Sequence, residues 1–148
     1  MGDKGDTGEK GDIGDKGETG DAPTTADTLM YWNSGTVLPT GTTFLRYGST
    51  TTTEPAAQIV IPADSLLNTM SVRLTVPPGG TASRTFTLRV NGANTPLTAT
   101  ISGNSNTAFV TLIVPVQLNQ GDLVSLQQFS STDTTPIASI GIVSVKYV

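Results

Sequence analysis

Four carboxylates, Glu54, Asp64, Asp122 and Asp133, stand at wide intervals along the chain after Tyr47. Two of them set across a cleft could do the acid and base work of glycoside hydrolysis. Nothing in their spacing pairs them. Each stands alone among turn-forming neighbours, Glu54 directly before Pro55 and Asp122 directly after Gly121. Histidine and cysteine are absent. That removes imidazole acid–base catalysis, a thiolate nucleophile, a Cys/His zinc site and any disulfide framework. A serine nucleophile in this region has only Lys146 as a possible lysine base, and no motif frames that pair. Carboxylates repeated around a symmetry axis could hold calcium, but no acid is singled out for it. The sequence predicts no enzyme, no cofactor and no metal.

The strongest pattern is structural. Glycine falls at every third position as Gly2, Gly5, Gly8, Gly11, Gly14, Gly17 and Gly20, and each is followed by an acid. A strict three-residue glycine beat is the collagen signature, because three polyproline-II-like chains leave room only for hydrogen at their common axis. A flexible acidic linker is the competing reading, and seven glycines without a slip argue against it. Residues 1–22 hold seven acids and three lysines, whereas the rest of the chain holds five acids and five bases, so the formal charge of −4 lies wholly in the repeat. No proline precedes Pro23, so charge must help to order the backbone. Lys4 with Asp6, Lys10 with Asp12 and Lys16 with Glu18 repeat one spacing, which in a staggered triple helix can set a lysine beside the acid of a neighbouring chain. Exposed pairs of this kind are worth only about 0.2–1 kcal/mol each. The stalk would span roughly 65 Å at ~3.1 Å per residue. Met1 opens directly onto a repeat in full rhythm, so the sequence is expected to be a piece of a longer repeat.

Residues 23–28 read as a linker, and residues 29–148 as a β-rich head. Several segments alternate with period two. "SVRLTV" sets Val72, Leu74 and Val76 on one face, and "RTFTLRV" sets Phe86, Leu88 and Val90 inward with Thr85, Thr87 and Arg89 outward. Asn91-Gly92 is a strong hairpin signal, with a return strand carrying Leu97, Ala99 and Ile101 inward. "AFVTLIVPV" (108–116) is apolar on both faces and is expected to be buried on both. A turn at Gln120-Gly121-Asp122 leads to a strand with Val124 and Leu126. The terminal "IASIGIVSVKYV" puts Val143, Val145 and Tyr147 on one face and Ile140, Ile142 and Val148 on the other. One face would fill the core and the other would meet a neighbouring subunit. Eight to ten short strands punctuated by turns predict a sandwich or barrel, and about 120 residues in such strands suits a jelly roll. The four arginines are scattered and read as solvated, which gives no nucleic-acid patch. No apolar run approaches the ~20 residues of a membrane span, so no membrane insertion is expected.

"LNQGDLVSLQ" and "IGIVSVKYV" resemble the late strands of the tumour-necrosis-factor-like jelly roll. "GSTTTTEPAAQIVIP" (48–62), "RTFTLRVNGANTPLTATISG" (84–103) and "GDLVSLQ" (121–127) resemble the C-terminal domain of collagen-like exosporium glycoproteins of spore-forming bacteria, the BclA/BclB type. Similar domains occur on bacteriophage and other viral fibres. The resemblance covers most of residues 35–148, with a stalk of the same kind. It implies an all-β jelly-roll sandwich of eight to ten strands, homotrimeric, at the tip of a filament on a spore, bacterial or virion surface. It further implies a head that locks the trimer and sets the register of the stalk. One departure is the absence of the proline-rich, O-glycosylated triplets of exosporium stalks. Tyr31, Trp32, Ile140, Ile142 and Val148 are the candidate trimer interface. Such a pair more often packs at the junction of stalk and head; in the second reading, a tip that binds a glycan or cell-surface receptor, Tyr31 and Trp32 would form part of an aromatic platform.

With no proline and unpaired acids left to repel one another, the stalk needs a clamp. An isolated 1–22 peptide is expected to show no cooperative triple-helix melt near body temperature by circular dichroism. A melt above that range contradicts the need for the head.

Overall fold

A computed structural model describes residues 1–6, 29–131 and 141–147. Ten strands run through the described part of the head: β1 (Leu29–Asn33), β2 (Thr42–Arg46), β3 (Ser49–Thr51), β4 (Ile59–Val60), β5 (Ser65–Leu74), β6 (Ser83–Val90), β7 (Ala93–Ser102), β8 (Thr107–Leu118), β9 (Leu123–Ser130) and β10 (Gly141–Tyr147). One 3-10 turn, Glu54–Ala57, precedes β4. The strands form two sheets, a four-stranded one in the order β1-β10-β5-β8 and a six-stranded one in the order β3-β2-β9-β6-β7 with β4 also beside β9. All these ladders are antiparallel. The protein is an all-β sandwich. Its pairings are nested: β1 lies with β10, β2 with β9, β5 with β8 and β6 with β7.

Alternation builds the core. Leu67, Met70, Val72 and Leu74 of β5 face Phe86 and Leu88 of β6, Leu97, Ala99 and Ile101 of β7, and Val124 and Leu126 of β9 in one buried cluster. Asn91 and Gly92 both take positive φ, 50° and 80°, and Val90 pairs directly with Ala93. This is the two-residue turn whose twist matches that of the flanking strands. Asn91 also donates from its side chain to Asp122 at 2.7 Å and accepts from the amide of Leu123 at 2.9 Å. The β6–β7 turn is thereby latched to the β8–β9 turn.

Strand β8 departs from expectation. Ala108, Val110, Leu112 and Val116 pack against the core, but Phe109, Ile113 and Val114 are exposed in the chain, Ile113 completely. The segment is therefore covered on one face of the chain, not two. Its register against β5 jumps from Val116–Leu67 to Thr111–Thr69, so Leu112–Pro115 bulge from the edge of the sheet. Pro115 has no N–H to donate, and an edge bulge is a place where none is required.

Two arginines also depart from the solvated reading. Arg84 is only 1% exposed. Its guanidinium donates to the carbonyls of Leu38 and Pro39, both at 3.0 Å, and pins the β1–β2 loop over the end of the core. Burial pushes its pKa below the ordinary arginine value. Arg89 is held by Glu54.

The start of the β1–β2 loop depends on a close backbone approach. The amide of Gly48 donates to the carbonyl of Asn33 at 2.7 Å. Gly35, at φ +61°, lies so near that an added Cβ would stand 2.2 Å from the Gly48 carbonyl oxygen. Gly35→Ala is expected to cost about 1–3 kcal/mol through backbone strain, measured by chemical denaturation. An unchanged midpoint would contradict that reading of the contact.

Candidate functional site

The sequence-predicted site residues fall into separate groups. Gly2, Gly5, Lys4 and Asp6 lie in the described N-terminal stretch and are exposed, and a Cβ at either glycine would meet nothing within 4 Å in the single chain. The other stalk positions, Gly8, Gly11, Gly14, Gly17, Gly20, Lys10, Asp12, Lys16 and Glu18, lie outside the described residues, as do Ile140 and Val148. Ile142 sits on β10, its backbone in register with Asn33 on one side and Arg73 on the other. Trp32 is 1% exposed and belongs to the core of its own chain, so its side chain is not on an interface surface. Tyr31, one residue away and on the opposite face of β1, is exposed.

The outward face of the β1-β10-β5-β8 sheet is marked by register. Tyr31 pairs with Ser144, Ser144 with Ser71, and Ser71 with Phe109. One cross-strand row therefore begins and ends on an exposed aromatic residue. Beside it Thr69 and Thr111 are paired, with their hydroxyls 3.4 Å apart. Neither Asp nor Glu occupies a described strand of this sheet, and Arg73 is the charged residue of β5. The β8 end adds Ile113 and Val114 in the bulge. Along β5 this face carries Thr69, Ser71 and the exposed Arg73, and at the β8 edge it is apolar.

A second feature lies where β1 and β2 flank the mouth of the sandwich. A groove of about 210 Å³ is lined by Tyr31, Trp32, Arg46, Tyr47 and Gln58, with Ile59 and the Ala56–Ala57 step closing one side. Tyr47 is 86% exposed. The indole N–H of Trp32 is buried and has no hydrogen-bond partner. The hairpin geometry of Asn33, Gly35 and Gly48 fixes Tyr47 against β1, and Asn33 and Tyr47 form an isolated parallel bridge. Sequence reading found Tyr31 and Trp32 but missed Arg46, Tyr47 and Gln58, because what brings them together is the 3-10 turn folding back over β2.

That turn is held by a polar cluster on the outer face of the larger sheet. Arg89 donates from Nε to Glu54 Oε1 at 2.8 Å and from Nη2 to Glu54 Oε2 at 3.2 Å. Ser125, the register neighbour of Arg89, donates to Glu54 Oε1 at 2.7 Å. Arg89 also reaches Asn94 Oδ1 and the Gly92 carbonyl. A two-pronged guanidinium–carboxylate pair fixes orientation as well as charge. Glu54 is thus a structural acid. The Arg89 hydrogen bonds hold its carboxyl below the usual carboxylate range, with Ser125 adding to the effect and partial burial opposing it. Asp122 is likewise lowered, first by the Asn119 amide and then by Asn91, and it serves the β8–β9 turn. Among the described residues, no three acids gather as a metal site, and no helix is long and apolar enough to cross a membrane.

No family model matches the chain, and no curated protein matches it. Among solved structures, the chain is similar to the catalytic unit of a thermostable GH87 α-1,3-glucanase from Streptomyces thermodiastaticus, at 17% identity and a TM-score of 0.34. The match covers 80% of this chain and a quarter of the glucanase chain. A likeness of that degree assigns neither a fold family nor an activity.

Because folding keeps Glu54 ionised to lower pH than it would be in the unfolded chain, its stabilisation is complete above the ordinary carboxylate range. It fades as the pH falls through the lowered native value. Glu54→Gln is expected to cost about 1 kcal/mol at neutral pH. The gap to wild type should close in acid, as followed by urea melts across pH. A gap independent of pH would contradict the ion pair's role.

Proposed function

We propose that this chain is a non-enzymatic structural protein of a surface filament or fibre. Its head is a homotrimeric jelly roll that clamps three chains and sets the register of a collagen-like stalk. The observation that carries this reading is the pairing of two needs in one chain. Residues 2–20 present glycine every third position, a pattern that only a three-chain helix uses. The head leaves Phe109, Ile113 and Val114 in water at one edge of a sheet.

A cluster of exposed large apolar side chains marks an interaction surface. Here the partner is a second and third copy of the same chain, because the stalk requires three. Covering the cluster contributes about 25 cal/mol for each Å² of apolar surface removed from water. The nested pairing of strands supports the jelly-roll form, in which two sheets are wound from one long folded-over hairpin. The outward face of the β10, β5 and β8 strands, with Phe109 at its edge, is the surface we assign to the neighbouring subunits. Ile142 lies on its β10 strand. Trp32 serves the core beneath it.

Head association then acts on the stalk through concentration. Once three heads are joined, their stalks meet at an effective concentration in the ~mM range rather than that of the free chains. The weak lysine–acid pairs then have only to order chains already side by side. The location that goes with this role is an extracellular, spore or virion surface.

Ile113→Glu together with Phe109→Glu tests the interface without touching the chain's own core. The doubly substituted protein is expected to elute as single chains at micromolar concentration while keeping its β-sheet circular dichroism. Retention of the trimer by that variant would remove the proposed surface. Folding loss would contradict the view that these side chains serve association alone.

A further inference from the structure

We propose that the groove between β1 and β2 binds a carboxylate-bearing pyranose, such as a uronic acid at the end of a glycan chain. The groove lies on the β1 side of the smaller sheet, away from the apolar β8 edge. The inference does not rest on the trimer.

Three properties of the lining select the ligand. The first is aromatic surface. Tyr47 and Tyr31 present exposed rings on two sides of the groove. A tyrosine ring offers an apolar face and a polar tip, which suits a sugar ring with its C–H face on one side and hydroxyls around its rim. The second is charge. Arg46 is the charged residue of the lining, and no acid lines the groove. Glu54, close in sequence, is already held by Arg89 and Ser125. Among the described residues, neither Arg46 nor Gln58 has a hydrogen bond from its side chain. An unpaired planar guanidinium accepts a carboxylate through two parallel hydrogen bonds. The third is the orphaned indole. Trp32 lines the groove, and its N–H is a buried donor without an acceptor. Such groups are uncommon in folded proteins and ask for a partner. Its N–H has almost no surface open to the groove, so a sugar oxygen becomes its acceptor only with a small shift of the lining on binding.

Size narrows the choice further. A volume of about 210 Å³ is below the ~300–1,000 Å³ typical of sites for drug-sized ligands. It suits one sugar ring and is too small for a nucleotide. A single small site implies weak binding, and several such sites on one assembly gain through avidity.

The test is titration of the full chain by calorimetry and ligand-observed NMR with three probes: methyl β-D-glucuronide, methyl β-D-glucoside and inorganic phosphate. The glucuronide is expected to bind saturably in the millimolar range. The glucoside should bind about tenfold more weakly, the size of one charge-assisted hydrogen-bond pair. Phosphate should not displace the glucuronide. Arg46→Gln should abolish the preference for the acid, and Tyr47→Ala should weaken both sugars, with β-sheet circular dichroism unchanged in each variant. The proposal is overturned if the glucuronide does not saturate. It is also overturned if both substitutions leave its affinity unchanged, or if phosphate competes as well as the sugar. The Ile113→Glu, Phe109→Glu protein should keep the wild-type affinity per chain, which separates this site from the subunit interface.

Discussion

Two sheets can close over one core only if nearly every strand sends alternate side chains inward, and this head rests on that constraint. β6 and β7 obey it most cleanly, with Phe86, Leu88, Leu97, Ala99 and Ile101 inward and threonine outward, while β5 and β9 send Leu67, Met70, Val72, Leu74, Val124 and Leu126 inward but leave Leu66, Leu123 and Phe129 exposed on the other face. β8 obeys it on its inner face and breaks it on the outer. It sets Phe109 and Ile113 outward, on either side of Thr111, where polar residues would serve a solitary domain. The edge strand also carries a bulge, which widens the apolar surface by turning Val114 out beside Ile113. A domain that satisfied its core and still kept these residues in water would be a poor design for a free monomer. The same violation is economical if the outer face is the inner surface of an assembly.

Polar contacts finish what the ladder begins. Arg84 fastens the β1–β2 loop, the Glu54–Arg89–Ser125 cluster fastens the 3-10 turn, and Asn91 with Asp122 ties two hairpin ends together. The first two join loop segments to strands they do not pair with, and the third extends the β6–β9 ladder past Val90 and Val124. With five acids and five bases after the repeat, the head has few charges to place, and several of them are used in this way. The groove is a by-product of one of these fasteners, since the 3-10 turn held by Glu54 supplies Ala56 and Ala57 to one of its walls.

Much of the fold was legible in the sequence because period-two alternation and turn chemistry are local. "RTFTLRV", Asn91-Gly92 and Gln120-Gly121-Asp122 each predict what is observed. What lies opposite a residue is not local. "AFVTLIVPV" looks the same whether its second face meets a sheet of its own chain or stands outside it. Trp32 beside Tyr31 reads as an aromatic pair, but neighbours on a strand point to opposite faces, and only one of the two is in the core. Arg84 and Arg89 read as solvated because their partners, the Leu38 and Pro39 carbonyls and Glu54, are more than thirty residues away in the chain. The groove was half visible for the same reason.

The glycine rhythm of the N-terminal repeat and the uncovered face of β8 would both be answered by the threefold association we propose. The decisive measurement is the solution mass of the whole chain by multi-angle light scattering, taken at successive dilutions through the micromolar range. Threefold association requires three times the 15.3 kDa of one chain, held constant on dilution. A well-folded β-rich species at the mass of one chain would contradict it.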